Sequence, residues 1–177
     1  MAIIKEDGSI VANANSYVTV AEANAYFALV NNAVWDPLDP TDQKVPYLIL
    51  AVKFMQQRYR LRWQGYRTNV SQKLDWPRTL VAKPDVGSGY GSYPVYYGIN
   101  DIPQEVKDAQ CELAVRIANG DLNPDISPED VADTIKVGPI SVTYSKNGPA
   151  STVFVAVEQL LMPLFGLSGG QMKVGRS

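Results

Sequence analysis

Residues 45–59 read Val45-Pro46-Tyr47-Leu48-Ile49-Leu50-Ala51-Val52-Lys53-Phe54-Met55-Gln56-Gln57-Arg58-Tyr59. Val45, Leu48, Ile49, Val52, Met55 and Tyr59 recur at the three-and-four spacing of a helix with one buried face. Pro46 fits the first turn, where its missing N–H costs no hydrogen bond. This is the longest periodic segment of the chain. It predicts a helix that runs to about Arg62 or Trp63 and stops before Gly65. It also sets the expected fold class: mainly α, a small bundle of about four helices with a long central loop, short β segments and an extended C-terminal tail.

Upstream, Ile3, Ile4, Ile10 and Val11 flank the turn signal Asp7-Gly8 and predict a short hairpin. Thr19-Val20-Ala21-Glu22 has the form of a capping box, with a Thr at the N-cap and a Glu three residues on. The helix it starts carries Ala23, Tyr26, Phe27 and Val30 on one face. A Pro-rich turn, residues 35–40, separates it from the long helix.

Downstream, residues 64–100 show no period. They hold Gln72-Lys73-Leu74-Asp75-Trp76-Pro77-Arg78 and a Gly/Tyr-rich stretch, 86–98. A loop of that length in a small domain is usually functional or disordered, and tyrosines bury area at low entropic cost while keeping a polar tip. Ile102-Pro103-Gln104-Glu105 opens a third helix with Val106, Ala109, Leu113 and Ile117 inward and Gly120 as its stop. Ile135, Val137, Ile140, Val142 and Tyr144 predict two strand pieces around Gly138-Pro139. A last helix is expected at about 153–165. The domain reading is one helical unit, 1–165, and a flexible or partner-ordered tail, 166–177.

The chain has 177 residues, 46% of them hydrophobic, enough for one domain with a core. Its net charge of −2 predicts no polyanionic partner from bulk charge alone. One cysteine, Cys111, forbids an internal disulfide and suits a reducing compartment. The charged start at Lys5, Glu6 and Asp7 is read as neither signal peptide nor anchor, and no apolar run approaches the ~20 residues of a membrane span. Histidine is absent. That excludes Ser-His-Asp and Cys-His catalysis and the usual His-containing zinc sites. The expectation is a non-enzymatic protein without cofactor or metal.

Charge is sorted along the chain. Residues 53–83 hold Lys53, Arg58, Arg60, Arg62, Arg67, Lys73, Arg78 and Lys83 against Asp75 alone, a net of +7. Residues 101–133 hold nine acids, among them Glu105, Asp108 and Glu112, against Lys107 and Arg116, a net of −7. Solvated helix faces are the bland reading. Head-to-tail self-assembly of opposed faces is a second. A single-strand platform is a third, because Tyr59, Trp63, Tyr66 and Trp76 interleave the basic block; against it, Trp63 and Trp76 are residue types more often found in cores or interfaces. Gly87-x-Gly89-x-Gly91 lacks the Lys-Ser/Thr of a phosphate loop. Glu105, Asp108 and Glu112 could share one helix face, and a solvated acidic face outweighs a cation site there. Cys111 has no neighbouring base and reads as a small buried residue.

Several short motifs recur in a familiar order: Ser16-Tyr17-Val18-Thr19, Trp63-Gln64-Gly65-Tyr66-Arg67, Gln72-x-Leu74-x-Trp76-Pro77-Arg78, Ile102-Pro103-x-x-Val106-x-x-Ala109, Val137-Gly138-Pro139-Ile140-Ser141-Val142-x-Tyr144 and Leu160-Leu161-x-Pro163-Leu164. Over residues 14–165 this order resembles the head–tail connector or adaptor proteins of the tailed-phage neck, whose relatives are also labelled DnaT-like single-stranded-DNA-binding proteins. The resemblance implies a virion protein that forms a ring, usually of twelve copies, between the portal protein and a tail, stopper or tail-terminator protein. Double-stranded DNA would pass through its lumen without sequence specificity. It would reach the virion neck from the host cytoplasm and touch no membrane. The alternative is a single-stranded-DNA-binding replication accessory protein. Expected subunit or DNA contacts are Arg58, Arg60, Arg62, Arg67, Lys73 and Arg78. Partner-facing acids would be Glu105, Asp108 and Glu112, and a portal-contacting tail would use Leu167, Met172, Lys173 and Arg176. Because a ring of +7 patches would hold passing DNA too tightly, most of the basic block is expected at subunit contacts.

Overall fold

The structure, a computed structural model, describes residues 2–30, 32, 34–35, 41–87, 93–120, 134–137, 140–143 and 154–166. Among these residues four helices form: α1 (Val20–Leu29), α2 (Thr41–Tyr59), α3 (Gln104–Asn119) and α4 (Val155–Leu161), the last continued by a 3-10 turn, Met162–Leu164. Among the described residues, six short strands pair as three antiparallel two-stranded sheets. These are β1 (Tyr66–Arg67) with β2 (Arg78–Thr79), β3 (Ala82–Gly87) with β4 (Pro94–Tyr96), and β5 (Thr134–Val137) with β6 (Ile140–Thr143). The fold is therefore a small mixed α/β domain, and the expectation of a mainly helical bundle with a long central loop is corrected. Two hairpins occupy the stretch from 66 to 96. Three of these strands have only two or three residues and no period to read, and the six-residue β3 carries Pro84 and ends on Gly87, so the stretch reads as loop.

The helical part follows from local chemistry. Thr19 caps α1: its Oγ1 accepts the Glu22 amide at 3.2 Å, and the Glu22 carboxylate accepts the Thr19 amide at 2.7 Å. α2 begins at Thr41, so Pro46 lies inside the helix rather than in its first turn. It buries Leu48, Ile49, Ala51, Val52, Phe54, Met55 and Tyr59, chiefly against α3. α3 returns Val106, Ala109, Leu113 and Ala114, and α4 covers α3 from another side with Val157 and Leu161. No described helix is long and apolar enough to cross a membrane.

The N-terminal stretch is not the hairpin expected at Asp7-Gly8. Lys5 bridges Ser16 in parallel, and the Glu6 amide donates to the Ser16 carbonyl at 2.8 Å. The loop between closes on a buried side chain. The Glu6 carboxylate, 1% exposed, accepts the amides of Gly8, Ile10 and Val11 at 2.9–3.0 Å. That cradle holds Ile10 at φ 64°, a left-handed conformation that is rare for a β-branched residue.

Gln110 joins the two halves of the core. It is fully buried, yet its amide is satisfied: Oε1 accepts the Tyr17 amide at 2.9 Å, and Nε2 donates to Ser16 Oγ at 2.7 Å and to the Leu48 carbonyl at 3.0 Å. A buried amide with its partners in place costs little and fixes one packing arrangement.

Candidate nucleic-acid interface

The segment from Gln64 to Gly98 carries both the basic block and the tyrosines, so its construction decides what those residues can do. Its frame is the motif Gln72–Arg78. Gln72 is 4% exposed and folds over the turn, with Nε2 donating to the carbonyls of Leu74 (2.9 Å) and Pro77 (3.0 Å). Its Oε1 accepts the Asn69 amide at 2.9 Å. The Trp76–Pro77 bond is cis. Gly65 sits at φ 60°, and a β-carbon there would lie 2.0 Å from the Thr79 carbonyl oxygen, so β1 and β2 approach closely only with glycine at that point.

Arg78 is spent inside this frame. It is 6% exposed, and its guanidinium donates to the carbonyls of Gln64 (2.7 Å), Gly65 (2.7 Å) and Asp75 (3.2 Å). Burial lowers its pKa from the ordinary value, with the Asp75 charge opposing the shift. Gln64 is the second clamp: its amide donates to the Leu164 carbonyl at 3.0 Å, and its side chain donates to the carbonyls of Pro163 and Phe165. With the Gly166 amide on the Arg62 carbonyl at 2.7 Å, these bonds stitch the C-terminal segment to the end of α2.

The other expected basic contacts divide into two groups. Arg60 Nε lies 2.8 Å from Asp75 Oδ1, and that carboxylate is 2% exposed. Arg62 meets Glu158 at 3.1 Å and lies 4.2 Å from the Phe165 ring centroid; Arg58 approaches the same Glu158 at 3.8 Å. Exposed at the surface are Arg67, which donates to the Gln72 carbonyl at 3.1 Å, and Lys73, while Lys83 lies half-buried over the Tyr97 ring. Much of the +7 block is thus engaged within its own chain, by acids or by carbonyls.

The aromatics divide in the same way. Trp63 and Trp76 are 6% and 0% exposed and meet edge-on at 5.7 Å. Tyr59, Phe165 and Tyr97 extend the cluster on either side. Tyr59, Trp63, Trp76 and Phe165 belong to the core and present no stacking surface, while Tyr97 packs against them half-buried. Among the described residues, the exposed rings are Tyr66 (69%), Tyr93 (71%) and Tyr96 (48%), all on the two hairpins or their connection.

Of the expected acidic contacts, all three sit half-buried on α3. Glu112 accepts from the Tyr26 hydroxyl at 3.0 Å and from Arg116 at 2.7 Å; Asp108 accepts from Gln104 at 2.8 Å. Among the described residues, no group of acids or thiols is placed to hold a metal ion. Cys111 is buried. Leu167, Met172, Lys173 and Arg176 lie outside the described residues, as does the acidic run 121–133. Glu6 and Gln110 had no signal in the sequence beyond their polarity, and Tyr17, Gln64 and Gln72 stand in the quoted motifs without any sign of what they bond.

A family model described as "Putative DnaT-like ssDNA binding protein" matches residues 1–177. The chain belongs to that family. No curated protein and no solved structure matches it. Within this DnaT-like chain, the hairpin segment is where exposed tyrosines and exposed cations occur together, and it is the candidate interface.

Proposed function

We propose that the protein binds single-stranded DNA without sequence preference and without catalytic turnover. The carrying observation is the match of residues 1–177 to a DnaT-like family, on a chain whose segment 66–96 carries exposed Tyr66, Tyr93 and Tyr96, exposed Arg67 and Lys73, and the half-buried Lys83. Any base can stack on a tyrosine face, so such a surface tolerates sequence. Three available cations support only a modest electrostatic grip. With a slope near −0.7 per neutralised phosphate on single strands, log affinity should fall against log salt with a slope of about −2. Fluorescence anisotropy with a labelled oligothymidine across a salt series tests this. Absence of any shift at low salt removes the reading.

A second reading is the ring subunit of a phage neck, placed between portal and tail in the virion. The motif order over residues 14–165 favours it, together with the apolar side chains exposed beside the stitched C-terminal segment, Leu61 (98%) and Met162 (69%). A basic block engaged within its own chain also suits a lumen through which DNA must slide. Native mass spectrometry of the free protein separates the two. A stable ring with no affinity for oligothymidine supports the neck; a monomer that binds it supports the first reading. On either reading the protein acts in the host cytoplasm, permanently or before assembly.

A further inference from the structure

The N-terminal loop, β3 and the start of α3 enclose an open cleft of about 450 Å³, within the range of small-ligand sites. Three lysines line it, each from a different segment: Lys5, Lys83 and Lys107. Tyr97 forms one wall. Its ring is fixed edge-on against the buried Trp76 at 6.3 Å, and Lys83 Nζ lies 5.3 Å from its centroid.

The cleft also contains Glu6, Asp7 and Asp101, and what those acids already do matters. Glu6 accepts three amides of its own loop. Asp7 accepts the Ser9 amide (2.9 Å) and hydroxyl (2.6 Å), and Asp101 accepts the Gly98 amide at 2.8 Å. Each acid fastens a turn, and none is ion-paired to a cleft lysine. Among the described residues, Lys5 alone of the three lysines has a carboxylate partner, Glu22, which lies outside the cleft. Among the described residues no carboxylate takes the ammonium groups of Lys83 and Lys107, which leaves their donors facing the cleft for a ligand.

We propose that this cleft is a phosphate subsite, in which Lys83 and Lys107 hold a phosphate group and the Tyr97 ring borders the unit attached to it. The phosphate can come from a nucleic-acid backbone or from a free phosphorylated molecule. The first source rests on the single-strand reading above; the second does not. Lys83, on β3, places the cleft next to the tyrosine-bearing hairpins, so one strand could occupy both.

The test uses the full chain and a Lys83→Ala/Lys107→Ala double variant, probed with inorganic pyrophosphate and with oligothymidine. Pyrophosphate should produce saturable amide shifts in the NMR spectrum confined to residues near 5–8, 83 and 97–107, and the double variant should lose them. The variant should bind oligothymidine roughly tenfold more weakly, with a salt slope smaller by about 1 to 2. Pyrophosphate shifts scattered over all surface lysines, or unchanged in the variant, would overturn the subsite. Oligothymidine affinity and salt slope unchanged in the variant would overturn its role for DNA while leaving the single-strand reading intact. Local pyrophosphate binding in a protein that ignores oligothymidine supports the subsite and sinks the single-strand reading.

Discussion

The hydroxyl oxygen of Tyr17 accepts the backbone amides of both Asp75, at 3.1 Å, and Trp76, at 3.2 Å. One phenol thereby ties the segment before α1 to the turn that organises the hairpins. Tyr17 is 1% exposed, and burial, chiefly, raises its pKa well above the ordinary value. Tyr17→Phe keeps the ring and strands two buried amides. The expected cost is about 1–3 kcal/mol, read as a lower urea midpoint with an unchanged slope; a midpoint equal to wild type would mean that other acceptors replace the phenol.

Gln110 makes the same kind of connection from α3. Gln110→Leu conserves volume but leaves the Tyr17 amide without its acceptor and Ser16 Oγ and the Leu48 carbonyl without their donor. A loss of about 2–3 kcal/mol is expected. Thermal unfolding of the variant, with the Ser16→Ala variant alongside, measures it. Coupling between the two sites should appear as non-additivity in the double variant.

Gly65→Ala should cost about 2–3 kcal/mol, because the new methyl meets the Thr79 carbonyl and the backbone is left-handed. Gly87→Ala, where a β-carbon meets nothing within 4 Å, is the matched control. Equal midpoints for the two variants would refute the close approach of β1 and β2.

Cys111 predicts a pH dependence. Burial, first, and then the charges of Asp108, Glu112 and Glu22 push its thiol up to about 12. The folded-state value is raised, so its contribution is intact below the unfolded thiol's pKa, near 8.5, and is lost as pH climbs from there toward 12. The decline is at most about 1.4 kcal/mol per pH unit. Between pH 8.5 and 10 the urea midpoint of wild type should fall faster than that of Cys111→Ala. Thiol labelling of the native protein at pH 8 should be slow and should accelerate on unfolding. Parallel pH profiles for the two proteins would place the thiol in contact with water.

Tyr66→Ala and Tyr96→Ala test the proposed interface without disturbing the core, since both rings are exposed. Each should weaken oligothymidine binding by about 1–3 kcal/mol for the base it stacks and leave the melting temperature nearly unchanged. Trp63→Ala and Arg60→Ala are poor probes. The first removes a core ring, and the second strands the buried carboxylate of Asp75. Binding unaffected by both tyrosine variants would move the interface off the hairpins.

The sequence makes the helices legible because their cores repeat every three to four residues, as in Leu48, Val52, Met55 and Tyr59. The Thr19–Glu22 box is legible because it is wholly local. The hairpins are not, since their strands are set by side chains remote in sequence: Tyr17 on Trp76, Gln64 on Ala82 and Phe165, Arg78 on Gly65. The basic block is visible as a count, but the count says nothing of direction. Arg78 points at carbonyls, Arg60 at an acid, and Arg67 lies exposed. The lysines of the cleft come from positions 5, 83 and 107 and meet only through the fold.

The inward guanidinium of Arg78 bears on how this family can diverge. Its planar fork serves three carbonyls from two directions, and a lysine, with one point of charge, cannot reproduce that geometry. Arg67 makes a single carbonyl bond and Lys73 lies exposed, so both can drift more freely with whatever the surface must meet. An arginine persisting at this position across relatives would then be a mark of shared architecture, and the ligand's history would be written in the cations around it.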